Sequence, residues 1–225
     1  MSQTHVRMAF PSSEALDESF RRFRDAVEQD PQGDHQALLR PLSDHFVDEV
    51  LGAFFEGPIQ AVGEQGRNID LIRRVMGAIG KAARGLAHRL MKHASPEEQQ
   101  ALARHFEALR LEQDGRVYVS FPLDDALANR MFHAFDEFIE HNEGDMGRLV
   151  DVMKRMSEKS VEYFLDRTVE HLNLGAFNRG LVRTARATIL KSSSMACSRA
   201  LPDMEYSHRR PVLGYFREML IEVTE

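Results

Sequence analysis

Apolar residues along most of this chain recur at alternating spacings of three and four, the period of a helix with one buried face. The pattern is clearest in one long segment, where Ile69, Ile72, Met76, Ile79, Ala83, Leu86 and Leu90 share a face. Arg67, Arg74, Lys81 and His88 recur every seven residues and form a stripe on the opposite face. Leu16, Phe20, Phe23 and Val27 predict an earlier helix, running from a Ser12 or Ser13 cap to about Gln29. Leu38, Leu42, Phe46, Val50 and Phe54 predict a second over about 35–56, interrupted by Gly57-Pro58. The long helix then starts at Pro58 or, if Gly63 and Gly66 break the chain again, at an Asn68 cap. Ser95-Pro96-Glu97-Glu98 opens a further helix over 96–112, because serine caps and proline suits the first turn. In HVRMAF, residues 5–10, the period changes to two and predicts a short strand stopped by Pro11. Asp114-Gly115 reads as a turn.

After that turn the pattern restarts. RVYVSFPLDDAL (116–127) matches HVRMAFPSSEAL (5–16) at an offset of 111, with Val6, Phe10, Pro11, Ala15 and Leu16 recurring. At an offset of 110, Asn68, Leu71, Arg73, Ile79, Lys81, Arg89, Phe106 and Glu112 recur as Asn178, Leu181, Arg183, Ile189, Lys191, Arg199, Phe216 and Glu222. One small insertion reconciles the two offsets, and a fixed offset is the signature of an internal repeat. The expected architecture is all-α, about eight helices from a tandem duplication of a strand-plus-four-helix unit. Repeat 1 spans 1–113 and repeat 2 spans 114–225, packed as one globular unit. A lone strand leaves its backbone groups unpaired, so 5–10 and 116–121 are expected to pair as a short antiparallel two-stranded ribbon lying on helices. Gly77, Gly80 and Gly85 each cost about 1 kcal/mol in a helix interior. Their expected reason is close approach of another backbone.

Charge adds a segregation that the overall net of −6 conceals. Residues 67–93 carry a net +6 and residues 173–201 a net +5 with no acid, which leaves −17 for the rest. Charge runs are usually solvated or paired faces, so one expectation is that the basic helices lie against acidic ones such as 122–145. The sharper expectation is anion contact through Arg73, Lys81, Arg89, Arg179, Arg183, Arg186, Lys191 and Arg199, with the two basic helices forming one cleft. An acidic protein or a phosphorylated ligand would fit such a surface. Nucleic acid fits less well, since neither basic segment interleaves aromatics and the chain has no Trp. A membrane surface would require the core-facing Ile and Leu of 69–90 to peel out.

Other chemistry is sparse. Cys197 is the only cysteine, which excludes a disulfide framework and a cysteine-based zinc site and reads as a small buried residue. His45–Glu49 and His133–Glu137 both read HxxDE, and Glu137 with His141 is an i,i+4 pair. Glu49, Glu137 and His141 sit at the edge of an apolar face and make up the one candidate metal set. No nucleophile elbow, phosphate loop or dinucleotide fingerprint is present, so neither a cofactor nor an enzymatic reaction is indicated. No apolar run approaches the ~20 residues of a membrane span, and no signal pattern opens the chain; a reduced cytoplasmic setting is expected. Eleven Met and fourteen Phe suggest an adaptable core. Met131, Met146, Met153 and Met156 are candidates to line an apolar pocket between the repeats. The leading expectation is a non-enzymatic binding or regulatory protein acting through its basic helices. The runner-up is an apolar-ligand-binding protein, and a metal-dependent helical-bundle enzyme comes third.

Overall fold

The computed structural model describes residues 4–63, 69–141 and 144–224; Gly66, Arg67 and Asn68, named above, lie outside them. Strand β1 (Thr4–Pro11) leads to α1 (Glu14–Gln29), where the Ser13 hydroxyl accepts from the Leu16 amide at 3.2 Å. Helix α2 (Gln36–Leu51) passes through a π-helical turn, Gly52–Glu56, into α3 (Gly57–Ala61). Next come α4 (Ile69–Met91) and α5 (Pro96–Leu109), the latter opened by a reciprocal Ser95/Glu98 capping box. Strands β2 (Arg110–Gln113) and β3 (Arg116–Pro122) follow. Helix α6 (Asp125–Asp136), capped by Asp124, ends in a second π turn, Glu137–His141. Helix α7 (Met146–Val161) passes through a third, Glu162–Asp166, into α8 (Arg167–Glu170). The chain closes with α9 (Ala176–Ala200), α10 (Tyr206–Glu218) and β4 (Leu220–Thr224). Counted across the π turns, the described residues form eight continuous helices.

The chain is thus mostly helical with a short antiparallel sheet. The expected pairing is present: β1 lies antiparallel to β3, with Met8 opposite Phe121 and Ala9 opposite Ser120. The sheet is wider than the expected ribbon, however, with four strands in the order β2-β3-β1-β4. β2 pairs with β3 from Arg110↔Val119 to Gln113↔Arg116, and β4 with β1 from Thr4↔Thr224 to Met8↔Leu220. The helix expected to reach residue 112 therefore stops at Leu109. A two-stranded ribbon is marginal in water, and each added strand satisfies one edge of the central pair.

Gly57-Pro58 does not interrupt its helix. The Gly57 amide reaches back five residues to the Gly52 carbonyl, so the next acceptor in that register, Ala53, faces Pro58, which has no N–H. Tyr215 of α10 fills the gap by donating its hydroxyl to the Ala53 carbonyl at 2.9 Å. Gly57 makes room for it, since a Cβ there would sit 2.2 Å from that hydroxyl oxygen.

One apolar cluster draws on both halves of the chain, with Met8, Leu102, Phe121, Phe135, Leu149 and Leu213 fully buried. A smaller one joins Leu51, Val75 and Ile79 to Ile189, Met195 and Ala196, where α4 and α9 pack antiparallel. The glycines of α4 do not serve the expected purpose. Only Gly80 is tight, its absent Cβ lying 2.8 Å from the Leu51 side chain rather than from a backbone. Gly77 and Gly85 have nothing within 4 Å of that position. No helix among the described residues is long and apolar enough to cross a membrane.

Candidate functional site

The two π turns at Gly52–Glu56 and Glu162–Asp166 widen their helices locally, and each presents a phenylalanine to the middle of the molecule. The Phe54 and Phe164 rings lie 6.4 Å apart. Phe10 of β1 meets both edge-on at 6.0 and 6.2 Å, and Phe46 meets Phe164 at 5.4 Å and Phe106 at 5.3 Å. Above this aromatic floor residues of α2, α4, α7 and α9 line a cavity of about 440 Å³. Its wall is overwhelmingly apolar, with Val50, Ile79, Leu86, Ile189 and Phe216 among its lining. Such a volume lies within the ~300–1,000 Å³ typical of small-molecule sites.

Of the four methionines expected at a pocket, Met153 and Met156 line this one. Met131 is buried in the core instead, and Met146 packs against the core at the start of α7. Polar groups that the sequence reading did not assign to a pocket also reach the wall: Ser43, Ser157, Ser160, Thr168 and Ser193, with Asp203, Glu205 and His208. Ser157 and Ser160 had a weak signal, as hydroxyls set among the methionines of an apolar helical face. Cys197 lines the cavity as well, and burial pushes its thiol up to about 11, so it is protonated at neutral pH. Just behind the wall, His105 lies 3.1 Å from the Thr168 hydroxyl and 5.2 Å, ring to ring, from His171. Burial, and then the charge of His171, push His105 down to about 4, so its ring is neutral.

The basic helices α4 and α9 pack against each other, and the eight basic candidates, Arg73, Lys81, Arg89, Arg179, Arg183, Arg186, Lys191 and Arg199, are all exposed. Among the described residues their ion-pair partners lie outside the 122–145 segment. Arg84 pairs with Asp48, His88 Nε2 lies 2.6 Å from Asp44, and Arg186 Nε lies 2.9 Å from Asp166. Two acids of 122–145 pair elsewhere, Asp136 with Arg217 at 3.0 Å and Glu137 with Arg148 at 3.3 Å. Arg89 covers Phe177, the one large apolar side chain that is mostly exposed among the described residues, at 4.8 Å. Lys81, Arg179, Arg183, Lys191 and Arg199 form no ion pair among the described residues.

The candidate metal set is not assembled. Glu137 is held by Arg148 and His133, His141 pairs with its neighbour Glu140 at 3.5 Å, and no group of three or more His, Cys, Asp or Glu converges among the described residues. His45 Nδ1 lies 2.9 Å from the Ser19 hydroxyl, a local helix-to-helix contact. Comparison of the chain with protein-family models, curated proteins and solved structures finds no match.

Proposed function

We propose that this protein binds an apolar or amphipathic small molecule in the cavity between its halves, without catalysis, in a reducing cytoplasmic setting. The observation that carries the reading is a largely apolar cavity of about 440 Å³ lined from both halves of the chain. A core usually closes such a volume, because each cubic ångström left empty costs stability, of order 24 cal/mol. Holding it open with two π turns is a local departure from regular helix, of the kind that concentrates at functional sites. A neutral naphthylamine dye should bind with one-to-one stoichiometry and enhanced fluorescence, insensitive to 0.5 M salt as an apolar site requires. Val50→Trp, which fills the wall, should abolish binding without lowering the melting temperature. A dye that fails to bind, or that binds Val50→Trp equally well, overturns the reading.

This reading includes the tandem duplication. Supporting it, α2, α5 and β2 begin at residues 36, 96 and 110 while α7, α10 and β4 begin at 146, 206 and 220, a constant offset of 110. The two flanking strand registers also interconvert under offsets of 110 and 111, with the Ala9–Ser120 pair at the centre.

The exposed surface of α4 and α9 favours a second reading, contact with an anionic partner such as an acidic protein segment or a phosphorylated ligand. Arg183→Glu should weaken retention on heparin and leave stability unchanged, because Arg183 has no ion pair to lose among the described residues.

A further inference from the structure

The cavity wall is chemically lopsided. At an offset of 110, Val47, Val50, Pro58, Ala83 and Ala87 of the first half stand against Ser157, Ser160, Thr168, Ser193 and Cys197 of the second, and all ten line the cavity. Each polar position belongs to the second half. In the opposite direction there is one exchange, Ser43 against Met153, and the Ser43 hydroxyl is turned back onto the Arg40 carbonyl at 2.9 Å. Two positions that bear the same burden of packing, one apolar and one hydroxylated, ask for different contents on the two sides.

What those hydroxyls offer can be read from their bonds. Ser157 and Ser160 donate to the Met153 and Met156 carbonyls at 3.0 and 2.9 Å, so their protons are used and their lone pairs are left as acceptors. Thr168 makes the same contact with Phe164 at 3.0 Å. Ser193 differs. It is only 8% exposed and lines the cavity, and its hydroxyl makes no hydrogen bond among the described residues. A hydroxyl that lines an apolar wall with no protein partner is free to bond the polar group of a ligand.

Charge narrows the choice further. No Lys or Arg is among the described residues of the wall, whose charged members are the carboxylates Asp203 and Glu205 near His208 in the connection from α9 to α10. The cationic side chains of α4 and α9 are exposed on the outside of the same helices. A carboxylate or phosphate head would therefore meet acceptors and no cation among the described residues of the wall, and an unpaired anion in an apolar site is strongly disfavoured.

We infer that the cavity takes an amphiphile with an uncharged or cationic head that donates hydrogen bonds, a long-chain alcohol or amine rather than a fatty acid, its head against Ser157, Ser160 and Ser193. This rests on the reading that the cavity is a binding site. Dodecanol, dodecylamine and dodecanoate share one chain and differ in the head, so competition against the neutral naphthylamine dye at pH 7.5 isolates the head-group preference. The alcohol and the amine should bind at least about tenfold more tightly than dodecanoate, the effect of one well-made buried hydrogen bond. A Ser157→Ala/Ser160→Ala/Ser193→Ala variant should bring the three within about threefold while keeping its dye affinity. Glu205→Gln should weaken the amine and leave the alcohol unchanged, which separates cationic from neutral heads. Dodecanoate binding as tightly as the alcohol, with the dye still bound, overturns this inference alone. Failure of the dye and all three amphiphiles overturns the cavity reading beneath it.

Discussion

At the scale of single residues, the glycines of α4 separate two effects that the sequence alone merges. A glycine in a helix interior is unfavourable by about 1 kcal/mol relative to alanine, partly because the unfolded chain has more freedom to lose. Where a Cβ would meet open space, alanine recovers that difference; where it meets a packed neighbour, the gain is cancelled. Gly77→Ala and Gly85→Ala should each stabilise the protein by about 0.5–1 kcal/mol in urea titrations. Gly80→Ala should be neutral or destabilising, since its Cβ would lie 2.8 Å from the buried Leu51 side chain. An equal gain at all three positions would contradict the packing described. His105 supplies the matching electrostatic case. With its folded pKa pushed from 6.5 to about 4, chiefly by burial, the unfolded chain takes up a proton that the native state refuses. Stability is therefore lost as pH falls from about 6.5 towards 4, by about 2 kcal/mol between pH 7 and pH 5. His105→Gln should lose correspondingly less over that interval, and identical pH profiles for the two proteins would show that the ring titrates freely.

At the scale of elements, the long helices were legible because their apolar periodicity is strong and their caps are explicit. Ser13 and Ser95 cap their helices as their sequence context indicates. The central strand pair was legible from two copies of one short pattern ending in Phe-Pro. The flanking strands were not. RLEQ holds a single apolar residue and LIEVT is only five residues long, so neither departs from a helical period for long enough to register. The Asp114-Gly115 turn held the missing information, because both residues adopt positive φ (53° and 72°), as a two-residue hairpin loop demands. Reading that hairpin would have extended the sheet. Gly57-Pro58 misled in the opposite sense, since its helix continues by borrowing a donor from α10, a contact 162 residues away along the chain. The borrowed bond is testable. Tyr215→Phe should destabilise the protein by about 1–2 kcal/mol, the cost of an orphaned carbonyl. Gly57→Ala should cost more, because it drives a Cβ into the Tyr215 ring as well as displacing the bond. If Tyr215→Phe unfolds at the same urea concentration as the parent, solvent satisfies the Ala53 carbonyl and the π turn stands without that bond.

At the scale of the whole molecule, the decisive feature is that the first and last strands are neighbours. Thr4 lies opposite Thr224, so the first and last described strands meet as one antiparallel pair, while the tight Asp114-Gly115 turn joins β2 to β3. Joining residue 224 to residue 4 through a short turn and opening the chain between Asp114 and Gly115 would exchange a hairpin at one edge of the sheet for a hairpin at the other. If the halves descend from one unit, their order along the chain is incidental and the permuted protein should fold to the same sheet. Its melting temperature should lie within several degrees of the parent, since the two closures differ by little in loop entropy. The permutant should also bind the naphthylamine dye with unchanged affinity, because the cavity walls come from both halves and neither Asp114 nor Gly115 is among the lining residues. A permutant that folds but loses the dye would tie the cavity to chain order rather than to the packing of the halves. A permutant that fails to fold would show that β1 and β4 come together only after the hairpin of β2 and β3 has formed, so that the halves are not interchangeable.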